Sequence, residues 1–258
     1  MEDPVYDLYA ELEDFHWWFE GRRQIIFPLI KKRMSEFPDR MIVDVGCGTG
    51  GNIASLARDY NCVGLDFSEK AIDYAKKKYP HCDFLQGTMP VSLERLAPNV
   101  GVFLLMDVLE HIPDDKRFFD DLVKITLPGS YIIITVPANP ALWSRHDEMS
   151  GHHRRYEKDT LEALFKKAPV DVQFMTYFNS RLYPLVWIIR KIGQIFKKTT
   201  GDDDTDLSRL PGPINALLTA LFGSEASVVS SLDDGKRTQG FKTGVSLICL
   251  LKRIPDEN

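Results

Sequence analysis

The hydrophobic pattern of the chain alternates between short apolar runs and stretches with helical spacing. The apolar runs, rich in β-branched residues, predict buried strands at 41–45, 62–65, 82–86, 102–106, 131–136 and 170–177. The stretches with helical spacing predict helices at 68–79, 118–125 and 158–167. Because strands alternate with helices over residues 39–180, this part of the chain is predicted to be an α/β core on a mostly parallel sheet.

After this core the alternation stops. Residues 181–198 have apolar side chains at helical spacing with basic residues among and beyond them, which predicts an amphipathic helix. Residues 198–213 are rich in Asp, Thr and Pro and predict a mobile linker, and a further helix is expected at 213–222. We therefore expect a helical insertion at 181–240. The last strand is expected within residues 241–258.

Composition and charge narrow the class of protein. With 258 residues and 44% hydrophobic content, the chain can bury one large core, which favours a single domain with additions. The net charge of -5 provides no positive surface for wrapping nucleic acid. The four cysteines lack metal-ligand spacing, which is typical of buried thiols in a reducing compartment. Since no secretory leader or long apolar run is recognisable, we expect a cytoplasmic protein.

A glycine-rich turn follows the first predicted strand, in the sequence MIVDVGCGTG at 41–50. Glycines at this spacing allow positive φ and let backbone N–H groups approach a polar ligand. Gly46, Gly48 and Gly51 also satisfy the dinucleotide fingerprint G-x-G-x-x-G, and Asp66 lies about twenty residues further on, where a ribose-binding carboxylate is expected. The glycine pattern alone therefore does not identify the ligand.

Motifs in a fixed order carry a resemblance to a known family. VDVGCGTG at 43–50, GLDFS at 64–68 and DVLEHI at 107–112 together resemble the class I S-adenosylmethionine-dependent methyltransferases, of the bacterial type that acts on small molecules. The resemblance implies a Rossmann-like, doubly wound, seven-stranded sheet, mostly parallel with the last strand antiparallel. It also implies S-adenosylmethionine as cofactor and methyl transfer to an oxygen or nitrogen of a small molecule, including a hydrophobic one.

The same resemblance implies the residues of the cofactor site. The glycine turn holds the methionine end, the loop after the second strand holds the ribose, and the loop after the third strand holds the adenine. Thr88 departs from the family pattern, which often has Asp at this position, so the adenine contact relies on backbone N–H groups and the Thr88 hydroxyl. The implied cofactor-binding residues are Asp44, Gly46, Cys47, Gly48, Asp66, Phe67, Thr88, Met89 and Met106.

Residues 1–38 contain an aromatic cluster at 15–19, followed by Gly21 and two arginines. One interpretation is a helix packed on the core, with the arginines in solvent. The other is an N-terminal cap over the cofactor, in which Trp18 contacts the substrate. A similar HWWF-x-GRR stretch precedes the glycine turn in a group of bacterial methyltransferases, and this resemblance supports the cap without assigning a contact.

Candidate catalytic groups follow the fourth and fifth predicted strands. His111 either holds a helix start in place, which is favoured, or acts as a general base. In the polar loop at 137–156, His146 is the preferred base for proton abstraction from an acceptor. The candidate substrate contacts in this loop are Trp143, His152, Arg155 and Tyr156.

The same loop has a structural interpretation, in which Arg155 pairs with Asp147 and Tyr156 is packed. A metal site at His146, Asp147 and His152 is a third alternative. These residues lack the H-x-x-x-H or H-E-x-x-H register, so no metal is expected.

Two other functions remain open from the sequence. One is a nicotinamide-dependent oxidoreductase, which the glycine fingerprint permits. The other is a non-catalytic cofactor-binding or membrane-peripheral partner protein, with peripheral membrane contact through residues 181–198. A nucleic-acid substrate is not expected, because the chain has no N/D-P-P-Y motif and no Pro-Cys nucleophile. The expected partner is a small-molecule acceptor, and no feature specifies an oligomeric state.

Overall fold

The computed structural model describes residues 3–196 and 207–256, which fold around a seven-stranded sheet of order β3-β2-β1-β4-β5-β7-β6. The strands are β1 (Met41–Val45), β2 (Cys62–Asp66), β3 (Asp83–Gln86), β4 (Val100–Met106), β5 (Tyr131–Pro137), β6 (Val170–Phe178) and β7 (Ser246–Arg253). The α-helices are α1 (Asp3–Leu12), α2 (Trp17–Met34), α3 (Gly51–Leu56), α4 (Glu69–Lys78), α5 (Asp115–Ile125), α6 (Arg145–Met149), α7 (Lys158–Phe165), α8 (Tyr183–Phe196), α9 (Gly212–Gly223) and α10 (Ala226–Asp233).

The sheet is parallel except for its last strand. Parallel pairing joins β3, β2, β1, β4 and β5 in that order. The last strand, β7, enters between β5 and β6 and is antiparallel to both, with Ile134 opposite Cys249 and Thr176 opposite Ile248. This topology confirms the Rossmann-like, doubly wound sheet, including the antiparallel last strand.

Each face of the sheet is covered by its own hydrophobic core. Ile25 from α2 and Phe222 from α9 belong to the core on one face, whereas Phe119 from α5 and Tyr156 belong to the core on the other. Strands covered on both faces read as continuous apolar runs, as in the sequence of β5. This is why the strands could be predicted from hydrophobicity.

The N-terminal cap consists of α1 and α2, and α9 packs directly on α2. A Cβ on Gly21 would lie 2.5 Å from Cδ1 of Phe222, so the close approach of the two helices needs glycine. Trp18 stacks on Phe222 with 5.3 Å between ring centroids, and the Asn215 side chain accepts the N–H of Trp17 at 2.8 Å. The aromatic cluster therefore joins the cap to the helical insertion.

The insertion differs in part from the sequence prediction. Its first helix begins at Tyr183, and the predicted linker up to residue 206 lies outside the described residues, apart from its end. At that end, Leu207 is buried against Leu8 and Leu12 of α1, so the chain is anchored to the cap there. Within the described ranges no helix is long and apolar enough to span a membrane.

Helix α10 was not predicted, and neither was the short helix α6 in the polar loop. The serine-rich sequence of α10, ASVVSSLD, gives a weak apolar period. Tertiary contacts hold it in place: Arg33 of α2 forms a buried ion pair with Asp233, and Val229 is fully buried. Packing on α2, rather than local sequence, accounts for this element.

Candidate active site

A cavity of about 780 Å³ opens at the carboxyl ends of the parallel strands. Its walls come from the glycine turn, the loops after β2, β3 and β4, the cap, and helices α8 and α9. This is the edge at which open α/β sheets bind ligands. The volume lies within the range of small-molecule sites, so the cavity can hold a cofactor together with a second molecule.

The glycine turn is held closely against the neighbouring strand. The N–H groups of Gly46 and Cys47 donate to the Leu65 carbonyl at 2.7 and 3.0 Å. Gly46 has φ +77°, and a Cβ there would lie 2.6 Å from the Val108 side chain. Only glycine fits both the positive φ and the close contact. Gly46, Cys47 and Gly48 all line the cavity.

Asp66 lies at the end of β2 with its carboxylate turned toward the glycine turn. Oδ2 accepts the N–H of Gly48 and Oδ1 accepts the N–H of Ser68, each at 2.9 Å. Burial raises the pKa of Asp66, and these backbone N–H groups oppose that shift. Each carboxylate oxygen has a second lone pair. A carboxylate oriented in this way, on the cavity wall, can accept hydrogen bonds from two adjacent hydroxyls.

Asp44 lies directly behind the turn and is 1% exposed. Neither of its carboxylate oxygens has a hydrogen-bond partner within the described part of the chain. Burial raises the pKa of Asp44 to about 7. An unpartnered buried carboxylate is costly and favours a cationic group nearby. The residue is not part of the cavity wall, so its influence on a ligand acts through the turn in front of it.

The far end of the cavity is suited to a flat ring. Phe67 is 66% exposed and lines the cavity, together with Thr88 and Met89 from the loop after β3. Met106 lies on the same wall, at the end of β4. The thiol of Cys47 has a pKa raised by burial, which makes it a packing group and not a nucleophile.

Glu13, at the end of the cap's first helix, was not predicted from the sequence. Its Oε2 accepts the N–H of Gly51 at 2.9 Å and the hydroxyl of Thr49 at 2.8 Å. Its Oε1 accepts from Lys78 at 3.1 Å and from the Tyr79 hydroxyl at 3.2 Å. The cap therefore holds the glycine turn through one buried carboxylate.

The contact with Glu13 explains why residue 51, the third glycine of the G-x-G-x-x-G pattern, is glycine. A Cβ on Gly51 would lie 2.6 Å from Oε2 of Glu13. In dinucleotide-binding folds the same helix start receives a pyrophosphate. Here a protein carboxylate already occupies that position, and it would repel a phosphate. The geometry therefore disfavours the nicotinamide-dependent alternative.

The cap also reaches the loop after β4. Arg22 forms an ion pair with Asp107, whose φ of +59° is unusual for a residue with a side chain. The Arg22 guanidinium also lies 5.7 Å from the Trp18 ring centroid. Trp18 lines the cavity, as the cap interpretation expects, but its ring also stacks in the α2–α9 contact.

The loop after β5 is organised around Asp147. Its Oδ1 accepts from Arg155 Nε at 2.8 Å and lies 2.8 Å from Nδ1 of His152. Although burial opposes it, the hydrogen bond from His152 and the charge of Arg155 keep the pKa of Asp147 below its usual value. The predicted pairing of Arg155 with Asp147 is confirmed.

The predicted site residues of this loop separate into two groups. His146, His152 and Arg155 line the cavity. Trp143 and Tyr156 do not, and Tyr156 is 2% exposed with its hydroxyl donating to Asp115 at 2.7 Å. The loop turns Tyr156 into the core, which disfavours a substrate contact there, whereas the substrate contact of Trp143 stays a prediction.

His111 lines the cavity beside His152, with 4.7 Å between their ring centroids. Burial, reinforced by the neighbouring His152, lowers the pKa of His111 to about 3. Its ring hydrogen-bonds to the backbone of Gly151, which links the loops after β4 and β5. The His111 ring is therefore neutral near pH 7, and its role stays a prediction.

The part of the cavity wall that α8 and α9 form is mainly apolar. Leu185, Val186 and Ile189 of α8 line it, and so do Ile214 and Leu218 of α9. The predicted amphipathic helix therefore turns part of its apolar surface toward the cavity. The cavity is therefore polar at the strand ends and mainly apolar where α8 and α9 line it.

The contacts of Glu13 generate a stability prediction. Glu13→Ala leaves the Gly51 N–H and the Thr49 hydroxyl without their buried partner, so the free energy of unfolding should fall by about 1–3 kcal/mol. Urea denaturation measures this change. The matched control is Glu11→Ala, which removes an exposed ion pair with Arg209 and should cost less than about 1 kcal/mol. Equal losses in the two variants would contradict the role of Glu13.

Comparison with known proteins supports the motif resemblance. Residues 43–134 match the family model described as a methyltransferase domain. A probable S-adenosylmethionine-dependent methyltransferase of Mycolicibacterium smegmatis is 26% identical over 129 residues, which cover 49% of this chain and 48% of the relative. A ubiquinone biosynthesis O-methyltransferase of Erwinia tasmaniensis is 29% identical over 110 residues, which cover 40% and 45% of the two chains.

A solved structure of similar fold extends the comparison to most of the chain. An S-adenosylmethionine-dependent methyltransferase from Mesorhizobium loti has a TM-score of 0.52 at 15% identity, covering 89% of this chain and 98% of that one. At this identity the likeness establishes the fold alone. The chain spans about half the length of the two curated relatives. Motif order, sheet topology and the methyltransferase-domain match over residues 43–134 together support a class I S-adenosylmethionine-dependent methyltransferase.

Proposed function

We propose that this protein transfers a methyl group from S-adenosylmethionine to an oxygen or nitrogen of a small hydrophobic molecule. One observation carries the proposal: the cavity joins the glycine turn to an apolar wall made by α8 and α9. A cofactor on the turn and an apolar acceptor under the insertion would meet inside one enclosed space. Positioning of two reactants is the main contribution that methyl transfer requires of a protein.

The cofactor-binding groups fit S-adenosylmethionine chemically. Gly46 and Gly48 would receive the methionine end, with the unpartnered carboxylate of Asp44 behind them favouring its ammonium group. Asp66 would accept the ribose hydroxyls through its remaining lone pairs. The exposed ring of Phe67 offers an apolar face to the adenine. The carboxyl groups of Glu13, Asp44 and Asp66 lie around the glycine turn, which suits a cofactor that carries positive charge.

The acceptor must be deprotonated and shielded from water. Bound S-adenosylmethionine supplies a methyl group made electrophilic by its sulfonium. His146 lies on the cavity wall and is the residue we propose as general base for an acceptor hydroxyl or amine. The side chains of α8 and α9 would exclude water from this region.

The similarity to a ubiquinone biosynthesis O-methyltransferase supports an oxygen acceptor on an apolar molecule. The matched part covers 40% of this chain and 45% of that relative. The apolar wall of the insertion is independent support for the same acceptor class.

Incubation of the purified protein with methyl-labelled S-adenosylmethionine and a cell extract tests this function. After partition, we expect the label in one product of the organic phase. Label only in the aqueous phase would contradict the hydrophobic acceptor. Tight binding of S-adenosylhomocysteine without any transferred label would instead support a non-catalytic binding protein.

The base is tested with the same assay. His146→Ala should abolish transfer of the label while its affinity for S-adenosylhomocysteine stays unchanged. His153→Ala is the matched control, because this exposed histidine lies in the same loop but does not line the cavity. Full transfer by the His146→Ala protein would assign that histidine a structural role only.

We also propose that the insertion contacts a membrane surface. Trp187 and Ile188 of α8 and Leu217 of α9 are 42%, 50% and 66% exposed, and none of them lines the cavity. Exposed apolar side chains of amphipathic helices can enter the headgroup region of a bilayer. Cosedimentation with phospholipid vesicles measures the contact. The double variant Ile188→Ser, Leu217→Ser should bind less than the wild type, and a wild-type protein that stays in the supernatant would contradict the proposal.

A further inference from the structure

Three potential metal ligands meet on the cavity wall at the end of β4. Glu110, His111 and His152 each offer one ligand atom, and these atoms all lie within 4.8 Å of one another. In a tetrahedral zinc site with nitrogen and oxygen ligands the corresponding separations are about 3.3 Å. Small side-chain rotations would therefore bring the three atoms around one cation. This set differs from the one considered in the sequence, because the loops after β4 and β5 meet only in the fold.

The burial of Glu110 gives the strongest indication that these three residues bind a cation. The residue is 0% exposed, and neither carboxylate oxygen has a hydrogen-bond partner within the described ranges. It belongs to the cavity lining, and its buried carboxylate lies behind the surface of that wall. The negative charge of Asp107 adds to the cost of an ionised Glu110, and Arg155, the cation that opposes it, is already paired with Asp147. A buried acceptor-only group in this position needs a proton or a cation.

His152 is oriented as metal-ligating histidines are. Its Nδ1 lies 2.8 Å from Oδ1 of Asp147, and Arg155 donates to the same oxygen. Nδ1 therefore donates to the carboxylate, and the lone pair of Nε2 points the other way, 4.0 Å from Oε1 of Glu110. A carboxylate that fixes the tautomer through the far nitrogen is the usual outer support of a ligating histidine.

His111 completes the set from the other loop. Its ring hydrogen-bonds to the backbone of Gly151, which leaves its second ring nitrogen as an acceptor. Two imidazoles and one carboxylate are a ligand set for zinc or another divalent transition metal, with coordination positions left open. Because all three residues line the cavity, the open positions would face the acceptor.

We propose that Glu110, His111 and His152 bind one divalent transition-metal ion, and that the ion coordinates a hydroxyl oxygen of the methyl acceptor. The second part rests on the proposed methyl transfer. A bound cation lowers the pKa of a coordinated hydroxyl. The hydroxyl gives its proton to His146, and its oxygen bonds to the methyl carbon as the carbon–sulfur bond breaks, with that electron pair left on sulfur. The proposal narrows the acceptor to an oxygen nucleophile.

Metal binding is measured without cofactor or acceptor, so its outcome is independent of the proposed methyl transfer. The chelator-treated full chain is titrated with Co²⁺ while the visible absorption is recorded, and Zn²⁺ content is then determined after gel filtration. We expect one metal ion per chain, with absorption typical of nitrogen and oxygen ligands. Glu110→Gln, which keeps the side-chain shape, and His152→Ala should each weaken binding by at least about tenfold.

His153→Ala is the control, since it removes an adjacent exposed histidine from the same loop. It should bind Co²⁺ as the wild type does. Circular dichroism of each variant shows whether it is folded. If His152→Ala does not fold, the Co²⁺ affinity of Glu110→Gln alone tests the proposal. Three results would overturn the proposal: no stoichiometric metal in the wild type, unchanged affinity in Glu110→Gln, or a thiolate-to-cobalt absorption band, which would assign the metal to a cysteine.

Discussion

The buried carboxylate of Glu13 joins three parts of the molecule that are distant in sequence. One oxygen holds the glycine turn through Gly51 and Thr49, and the other receives Lys78 and Tyr79 at the end of α4. A buried charge is tolerated only while its partners stay in place. The shape of the glycine turn therefore depends on docking of the N-terminal cap. The cap itself packs on the insertion through its aromatic residues.

The same carboxylate sets the electrostatics of the site. It occupies the helix start where a dinucleotide would place its pyrophosphate, and Asp44 and Asp66 add further acidic groups around the turn. An acidic site with an anion already at the helix start favours a cationic ligand over a phosphate-bearing one. Glu13, which lies outside the glycine motif, thus favours S-adenosylmethionine over a dinucleotide.

Much of the fold could be predicted because its signals are local. Strands buried on both faces appear as apolar runs, and the glycine turn requires glycines at fixed positions. The role of Glu13 could not be predicted, since its hydrogen bond to Thr49 spans 36 residues and no local sequence pattern indicates such a contact. The meeting of Glu110 with His152 also depends on how two loops pack. Tyr156 was expected at the cavity, but its N–H bonds to the Pro137 carbonyl at 2.9 Å and its ring is carried into the core.

We propose that S-adenosylmethionine binds in this cavity through the glycine turn and the Asp66 carboxylate. Calorimetric titration of the purified protein with S-adenosylhomocysteine and, separately, with NADH tests it most directly. We expect one S-adenosylhomocysteine per chain, no comparable binding of NADH, and severe loss of affinity for S-adenosylhomocysteine in Asp66→Ala. Tighter binding of NADH, or unchanged affinity for S-adenosylhomocysteine in Asp66→Ala, would contradict it.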